Sequence, residues 1–309
     1  MIASGEGDIT AAVLAEAERT PDPRARELLM AAVKHLHAFV REVQLSEAEL
    51  FRLVASLARA GQMTSASHNE VMLGAGSLGV SALVCLINNA AGGTANLLGP
   101  FWRGGAPATA SGESIVRSPT PGEPVLVRAQ VLDAGDSQPV AAAEVDVWHA
   151  SPEGFYENQD PAQADMNLRG RFITDAEGRF EFTTVKPAGY PVPVNGPVGD
   201  LLRLQGRHNL RPAHIHFLIA KTGFKTQFAQ VYSGDDPNLE TDVQFAVTRP
   251  LVATYTPNAA GGWLLEQRFA LQRGESRLPV PPITGKAEGT RPVLDVLPRR
   301  EGACADGSL

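Results

Sequence analysis

The 309-residue sequence predicts a mainly β protein with α: an antiparallel β-sandwich core preceded by an N-terminal helical segment. Three observations carry this. Up to Asn88, composition and capping signatures are those of helices. Beyond Asn88-Asn89 the apolar period changes from 3.6 to 2. The period-2 segments are short and joined by Pro- and Gly-rich connections, as in two-layer β folds. At roughly 150 residues per domain the length fits about two folding units. The seams are expected at residues 1–104 for the helical segment and its linker, 105–285 for the sandwich, and 286–309 for a tail.

Residues 8–19 and 24–44 have helix-forming composition, and Thr20-Pro21-Asp22-Pro23 splits them. Ser46 and Glu49 form a capping box ahead of Leu50-Phe51-Arg52-Leu53-Val54, with Gly61 expected past the last turn. Ser67 and Glu70 repeat that signature. Val71 to Asn88 is apolar on nearly all sides and reads as one buried helix. Turns follow at Gly92-Gly93 and Leu98-Gly99-Pro100. Strands are predicted at 125–131, 144–149, 179–184, 214–219, 228–232 and 263–271. From Leu278 onward Pro, Gly and charged residues dominate, and the last ~25 residues read as an extended or mobile tail.

Composition excludes several classes. Hydrophobic residues make up 43% and charged residues 20%, as in an ordinary globular protein, which rules out whole-chain disorder. A net charge of −7 argues against nucleic-acid binding. No run approaches the ~18 apolar residues of a membrane span. The start lacks a basic region followed by an apolar run. Cys85 and Cys304 form no readable disulfide framework, so the cytoplasm is the expected compartment.

The strongest chemical signal is His214-Ile215-His216. Side chains at i and i+2 of a strand share a face, so two imidazoles can meet one metal ion there. The same pair also fits two ordinary strand histidines, one hydrogen-bonded and one exposed. Tyr156, in a polar loop, and Tyr190, held between Pro187 and Pro191, are candidate further donors; packing is the commoner fate of a tyrosine. Two phenolates with two imidazoles favour Fe(III) over Zn(II) by ligand hardness. A zinc hydrolase is disfavoured, because no H-E-x-x-H occurs. Arg211 is three residues before His214 and Gln230 fourteen after His216. From spacing alone both also fit surface residues. Gly74-Ala75-Gly76-Ser77-Leu78-Gly79 matches G-x-G-x-x-G, but it lies inside a helix and follows no strand. Close helix packing explains these glycines better than a dinucleotide does.

Taken together, the segments resemble the intradiol ring-cleavage dioxygenases, non-haem Fe(III) enzymes that split catechols between their two hydroxyls. The matching segments are Leu98-Gly99-Pro100-Phe101, Val145-Asp146-Val147-Trp148-His149-Ala150, Gly154-Phe155-Tyr156, Gly170-Arg171-Phe172-Ile173-Thr174-Asp175, Lys186-Pro187-Ala188-Gly189-Tyr190-Pro191, Gly206-Arg207-His208 and Arg211-Pro212-Ala213-His214-Ile215-His216-Phe217. They occur in family order over residues 25–275. The resemblance implies Fe(III) ligands at Tyr156, Tyr190, His214 and His216. It implies catalytic roles for Arg211, Gln230 and Tyr190, the last as a displaced ligand that takes a substrate proton. The implied pocket holds Leu73, Gly76, Leu98, Gly99, Pro100, Phe101 and Pro191.

The segment Lys186 to Asp200 looks most similar to hydroxyquinol 1,2-dioxygenases. Catechol-specific members usually carry a cysteine where Val192 stands. Gly76 departs from the aspartate usual in hydroxyquinol enzymes and implies a larger pocket without that carboxylate. The implied substrates are a small aromatic 1,2-diol and O2, with a (hydroxy)muconate as product. A catechol 1,2-dioxygenase, an enzyme for a bulkier substituted catechol, and a non-catalytic β-sandwich binding module are the alternatives. The helical segment then looks like the family's dimerisation segment, implying a homodimer that can hold a phospholipid at its helical interface.

Overall fold

Proline lacks an N–H and suits the first position of a helix, where that donor has no partner anyway. The computed structural model of the chain, which describes residues 2–89 and 93–299, uses Pro23 in this way. Helix α1 (Glu6–Ala17) stops ahead of Pro21, and α2 (Pro23–Glu42) starts behind Asp22, whose carboxylate accepts from Ala25 N at 2.6 Å. Helix α3 (Glu47–Met63) opens on the expected box: Ser46 N and Oγ donate to Glu49 Oε2 at 2.9 and 2.6 Å. Gly61 lies inside α3 rather than past it. An interior glycine costs only ~1 kcal/mol, too little to end a helix.

The chain forms two compact units that meet at residues 58 and 59. In the first, α1 packs on α2, with Arg41 Nη2 donating to Glu6 O at 3.2 Å. The second begins with the end of α3 and holds the remaining helices and all the strands.

The single buried helix expected over 71–88 is two helices, α4 (Glu70–Ser77) and α5 (Val80–Asn88), bent by 72°. Gly79 makes the break at φ +73°, a conformation glycine adopts without strain. Only Ala82 of α5 is buried, and Leu83, Leu86 and Ile87 are exposed. The all-round apolarity of this segment therefore marks an uncovered face. The cap of α4 is Asn69, which accepts from Met72 N at 2.8 Å, and not Ser67. Glu70 instead reaches helix α6 (Pro197–Leu204), where its Oε1 accepts from Val198 N at 3.0 Å. Among the described residues no single helix is long and apolar enough to cross a membrane.

The remaining elements are β1 (Pro124–Asp133), β2 (Glu144–His149), β3 (Arg169–Ile173), β4 (Arg179–Val185), β5 (Tyr190–Pro191), β6 (Leu210–Arg211), β7 (His214–Ala220), β8 (Gln227–Ser233), β9 (Val252–Ala253), β10 (Thr256–Pro257) and β11 (Trp263–Leu271). They form a five-stranded sheet in the order β3-β2-β7-β8-β9, a four-stranded sheet in the order β10-β11-β1-β4, and the small pair β5-β6. The two large sheets share one core, in which Val145, Phe172, Ile215 and Phe217 of one meet Val127, Phe182, Leu265 and Phe269 of the other. The sandwich matches the expectation, and most neighbours are antiparallel. Two pairs, β1–β11 and β8–β9, are parallel. Parallel neighbours need a long crossover, and the chain between Asp133 and Trp263 supplies one for β1–β11.

Strand β3, the two-residue strands and α6 were not predicted. The two-residue strands are too short to show a period, and α6 lies inside a Pro- and Gly-rich stretch. Residues 286–299 are extended, but they are pinned: Arg291 pairs with Asp160 and Glu153, and Asn209 bonds Asp295 O and Leu297 N. Cys304 lies outside the described residues, as does the turn expected at Gly92.

Candidate metal centre

Strand β7 is buried on both faces. Ile215, Phe217 and Ile219 enter the sandwich core, so period 2 aims His214 and His216 out of the opposite face of the sheet. Register then aligns a polar row across three strands: Trp148 of β2, His216 of β7 and Gln230 of β8, with His214 opposite Tyr232. The Trp148 ring stacks on His216 with centroids 4.6 Å apart and planes 11° from parallel.

Tyr156 and Tyr190 arrive from outside the sheet. Tyr156 Oη lies 2.9 Å from His216 Nε2, 3.3 Å from His214 Nε2 and 3.2 Å from Tyr190 Oη. Tyr190 Oη is 3.5 Å from His214 Nε2, and the two Nε2 atoms are 3.0 Å apart. Ligands held ~2.0–2.1 Å from one metal sit about 2.9 Å apart at right angles and about 3.4 Å apart at tetrahedral angles. The four atoms therefore have the mutual spacing of one coordination shell. His214 Nδ1 faces Pro212 O at 2.7 Å, which makes Nδ1 the donor and leaves the Nε2 lone pair turned to its neighbours. His216 Nδ1 is buried and has no hydrogen-bond partner among the described residues. No group of three His, Cys, Asp or Glu side chains suited to a metal exists among the described residues. The donor set depends on the tyrosines.

Local backbone devices let these side chains converge. Gly99, at φ +76°, passes so close that a Cβ there would come within 3.0 Å of His216 Cε1. Gly154, at φ +82°, turns the Tyr156 loop against Tyr190, whose Cβ would stand 3.0 Å from an added one. Tyr190 opens β5, opposite Arg211 in β6. Beside Tyr156, buried Glu157 Oε1 accepts from Arg103 Nη1 and Arg169 Nε, both at 2.7 Å. Arg169 Nη1 also donates to Phe101 O at 2.8 Å. This ion network clamps the Tyr156 loop to the Phe101 segment. Sequence reasoning did not find it, because its charges lie up to 66 residues apart (Arg103 to Arg169).

Arg211 is 2% exposed and not at the surface. Its Nε and Nη2 donate to Asp242 Oδ1 and Oδ2 at 3.0 and 3.1 Å, a bidentate pair. Its Nη2 also reaches Gln230 Oε1 at 2.7 Å and Tyr232 Oη at 3.2 Å, and its Nη1 lies 3.3 Å from His214 Nε2. Gln230 is anchored through Nε2 to Leu97 O at 2.9 Å. Tyr232 is thus part of the polar network. Asp242 was missed; an isolated Asp in a loop carries no signal until the fold brings it to Arg211.

Burial drives both imidazoles towards neutrality, His214 down to about 3 and His216 well below the usual range. The neutral form is the one that binds metal. Burial, reinforced for Tyr156 by Tyr190, also pushes both phenols above their ordinary value. A bound cation supplies the charge that would make them phenolates. Burial opposes the charge of Arg211, but Asp242, Tyr232 and Tyr190 outweigh it and hold the guanidinium well above its usual range. Burial pushes the Asp242 carboxyl up, but Arg211 outweighs it and holds the carboxyl below its ordinary value.

A cleft beside the four donors is lined by Leu73, Pro100, Phe101, Tyr190, Val192, Pro193, Arg211 and Gln244. Leu98 lines a neighbouring cavity of about 480 Å³ together with Gly99 and Pro100. Pro191 is half-buried and is not among the residues facing the cleft. Gly76 is buried but does not enlarge the pocket. The Gln244 carboxamide fills the space a side chain there would take. Gly74 packs on Val198, whose Cγ2 would be 3.6 Å from an added Cβ, so helix packing explains that glycine too.

The family profile described as "Dioxygenase" matches residues 98–272, and that of "Catechol dioxygenase N terminus" matches residues 22–95. Hydroxyquinol 1,2-dioxygenase of Rhizobium sp. is 38% identical over 79% of this chain and 83% of its own. Catechol 1,2-dioxygenase of Candida albicans is 34% identical over 75% of this chain and 78% of its own. Among solved structures, hydroxyquinol 1,2-dioxygenase from Pseudomonas putida DLL-E4 superposes with a TM-score of 0.77 at 34% identity, over 87% of this chain and 99% of that one. The chain belongs to the intradiol ring-cleavage dioxygenases.

Proposed function

We propose that the chain cleaves a hydroxyquinol-type 1,2-diphenol between its two hydroxyls with O2, using Fe(III) held by Tyr156, Tyr190, His214 and His216. The convergence of two buried phenols and two buried imidazoles within 3.5 Å carries this reading. Two hard oxygen donors with two imidazoles suit Fe(III) better than Zn(II). When bound, the ion supplies Lewis-acid polarisation of the diol and a template that orients it. The likeness to hydroxyquinol enzymes supports the substrate class.

The chain's own groups do the rest. Tyr190 is the phenolic ligand nearest the cleft and Arg211, and as a phenolate it is placed to take a substrate hydroxyl proton. Arg211, with its charge secured by Asp242, aims Nη1 into the donor cluster, where it stabilises negative charge on the reacting oxygens. Gln230 is held by Leu97 O and fixes the guanidinium from the other side. Leu73, Pro100 and Phe101 form apolar walls that exclude water. We place the protein in the cytoplasm, in keeping with its cysteine usage. We also assign the N-terminal helices to a homodimer interface that holds a phospholipid. Exposed Leu36, Phe51 and Leu57 support this cover, and the sedimentation mass and a lipid extract test it.

The deciding experiment loads the protein with iron and offers it hydroxyquinol, catechol and bulkier diphenols under O2. The expected outcome is stoichiometric O2 uptake, a muconate-type product and a visible phenolate-to-iron band that Tyr190→Phe shifts. A colourless iron-replete protein, or one that cleaves none of the diols, overturns the reading.

A further inference from the structure

Gln244 lies on the turn capped by Asp242, with Gln244 N donating to Asp242 Oδ1 at 3.2 Å. Its side chain runs to α4, where Nε2 donates to Ser77 Oγ at 2.9 Å and approaches Leu73 O at 3.5 Å. The Ser77 hydroxyl suits either end of the amide, and the Leu73 carbonyl, which can only accept, favours Nε2 on this side. Gln244 is 4% exposed, and among the described residues its Oε1 receives no hydrogen bond but stays accessible at the cavity wall. An accessible acceptor without a protein partner is open to a hydrogen bond from a ligand. The same side chain lines the cleft together with Tyr190 and Arg211. It can do so only because residue 76 is glycine. A Cβ at that position would overlap Oε1 and come within 2.7 Å of Cδ.

We infer that Gln244 is a specificity-determining residue: its Oε1 accepts a hydrogen bond from a third ring hydroxyl, so the cleft selects trihydroxybenzenes over plain 1,2-diphenols. Gly76 is the complementary half of this device, because it vacates the space the carboxamide occupies. The inference rests on the diphenol-cleaving reading above. A site built to bond a substrate hydroxyl discriminates strongly against an analogue lacking it, since its own polar group is then left bare.

The test compares wild type with Gln244→Leu, which keeps the volume and removes the acceptor, and with Gly76→Ala, whose methyl displaces the carboxamide. For each iron-loaded protein, kcat/KM is measured for hydroxyquinol and for catechol, and anaerobic titration of the visible band reads binding without turnover. Both variants are expected to lose about ten- to hundredfold in kcat/KM and affinity for hydroxyquinol, as for one good hydrogen bond. Catechol values should fall much less, so that the hydroxyquinol-to-catechol ratio drops about tenfold. Gly76→Ala added to Gln244→Leu should change little further, because both act on one contact. Equal losses for the two substrates would show that Gln244 merely packs, and they overturn the inference while the functional reading stands. A wild type that binds and cleaves neither diphenol overturns both. Should Gln244→Leu melt too early to assay, the Gly76→Ala protein decides alone by the same selectivity ratio.

Discussion

The pair His214 and His216 shows how much chemistry a single residue spacing can carry. Period 2 on a buried strand leaves only one arrangement, both imidazoles on the face away from Ile215 and Phe217. Their two phenolic neighbours were legible only through ordered motifs, because Tyr156 and Tyr190 come from segments with no shared period. Asp242 and Tyr232 were not legible as site residues, since their partner Arg211 lies 31 and 21 residues away and only the tertiary fold brings them to it. Asp242 is also where a substitution has a clear outcome. Asp242→Ala leaves the buried Arg211 charge uncompensated, at an expected cost of ~3–5 kcal/mol. It also unpins the guanidinium and should lower kcat by about 10²-fold or more. Urea unfolding and steady-state turnover check the two effects separately; a loss below about 1 kcal/mol would contradict the pair's role.

The strands were legible where sequence period and burial agree. Glu144–His149 and Trp263–Leu271 match their predicted bounds: the second alternates against one core, while the first alternates in sequence although both its faces are buried. The helices were legible by a cap at Ser46 and by the proline break at 20–23, and misleading where Ser67 was read as a cap and where apolarity stood in for burial, as in α5. Strand β3 was invisible as a strand, yet it contributes Phe172, which stacks on Phe180 and Phe182 at 5.5 and 5.1 Å between the sheets. Phe172→Ala should therefore cost ~3–5 kcal/mol in urea unfolding, the range for deleting a core aromatic. The ligand row faces the other side of the five-stranded sheet, so the iron band of the folded variant is expected at its wild-type position. A shifted band would mean that core and site are less separate than the two faces of the sheet imply.

Two features tie the sandwich together, and each gives the molecule a measurable response. His149 ends β2 and faces Thr184 Oγ1 of β4 at 2.7 Å, bridging the two sheets, while its Nδ1 donates to Ala150 O at 2.8 Å. Burial lowers its pKa from 6.5 to about 4. Between those values the unfolded chain binds a proton that the native chain refuses, so stability falls as pH drops through this window. The loss is about 3 kcal/mol when complete. His149→Gln should flatten the slope of unfolding free energy against pH between 6.5 and 4 relative to wild type; parallel curves would exclude His149 as the source. The donor cluster gives the second response. Tyr156, Tyr190, His214 and His216 come from a loop, from β5 and from β7, so an ion bound by all four would join three segments that the chain alone holds by packing. An ion that binds only the folded chain stabilises it by RT ln(1 + [L]/Kd), about 4 kcal/mol at a thousandfold excess over Kd. Stripping the iron with a chelator should therefore lower the melting temperature by several degrees, and re-addition of iron should restore it. In Tyr156→Phe the shift should shrink, because one donor is gone while the packing of the ring against Phe101 remains. An iron-dependent shift as large in that variant as in wild type would remove Tyr156 from the ligand set.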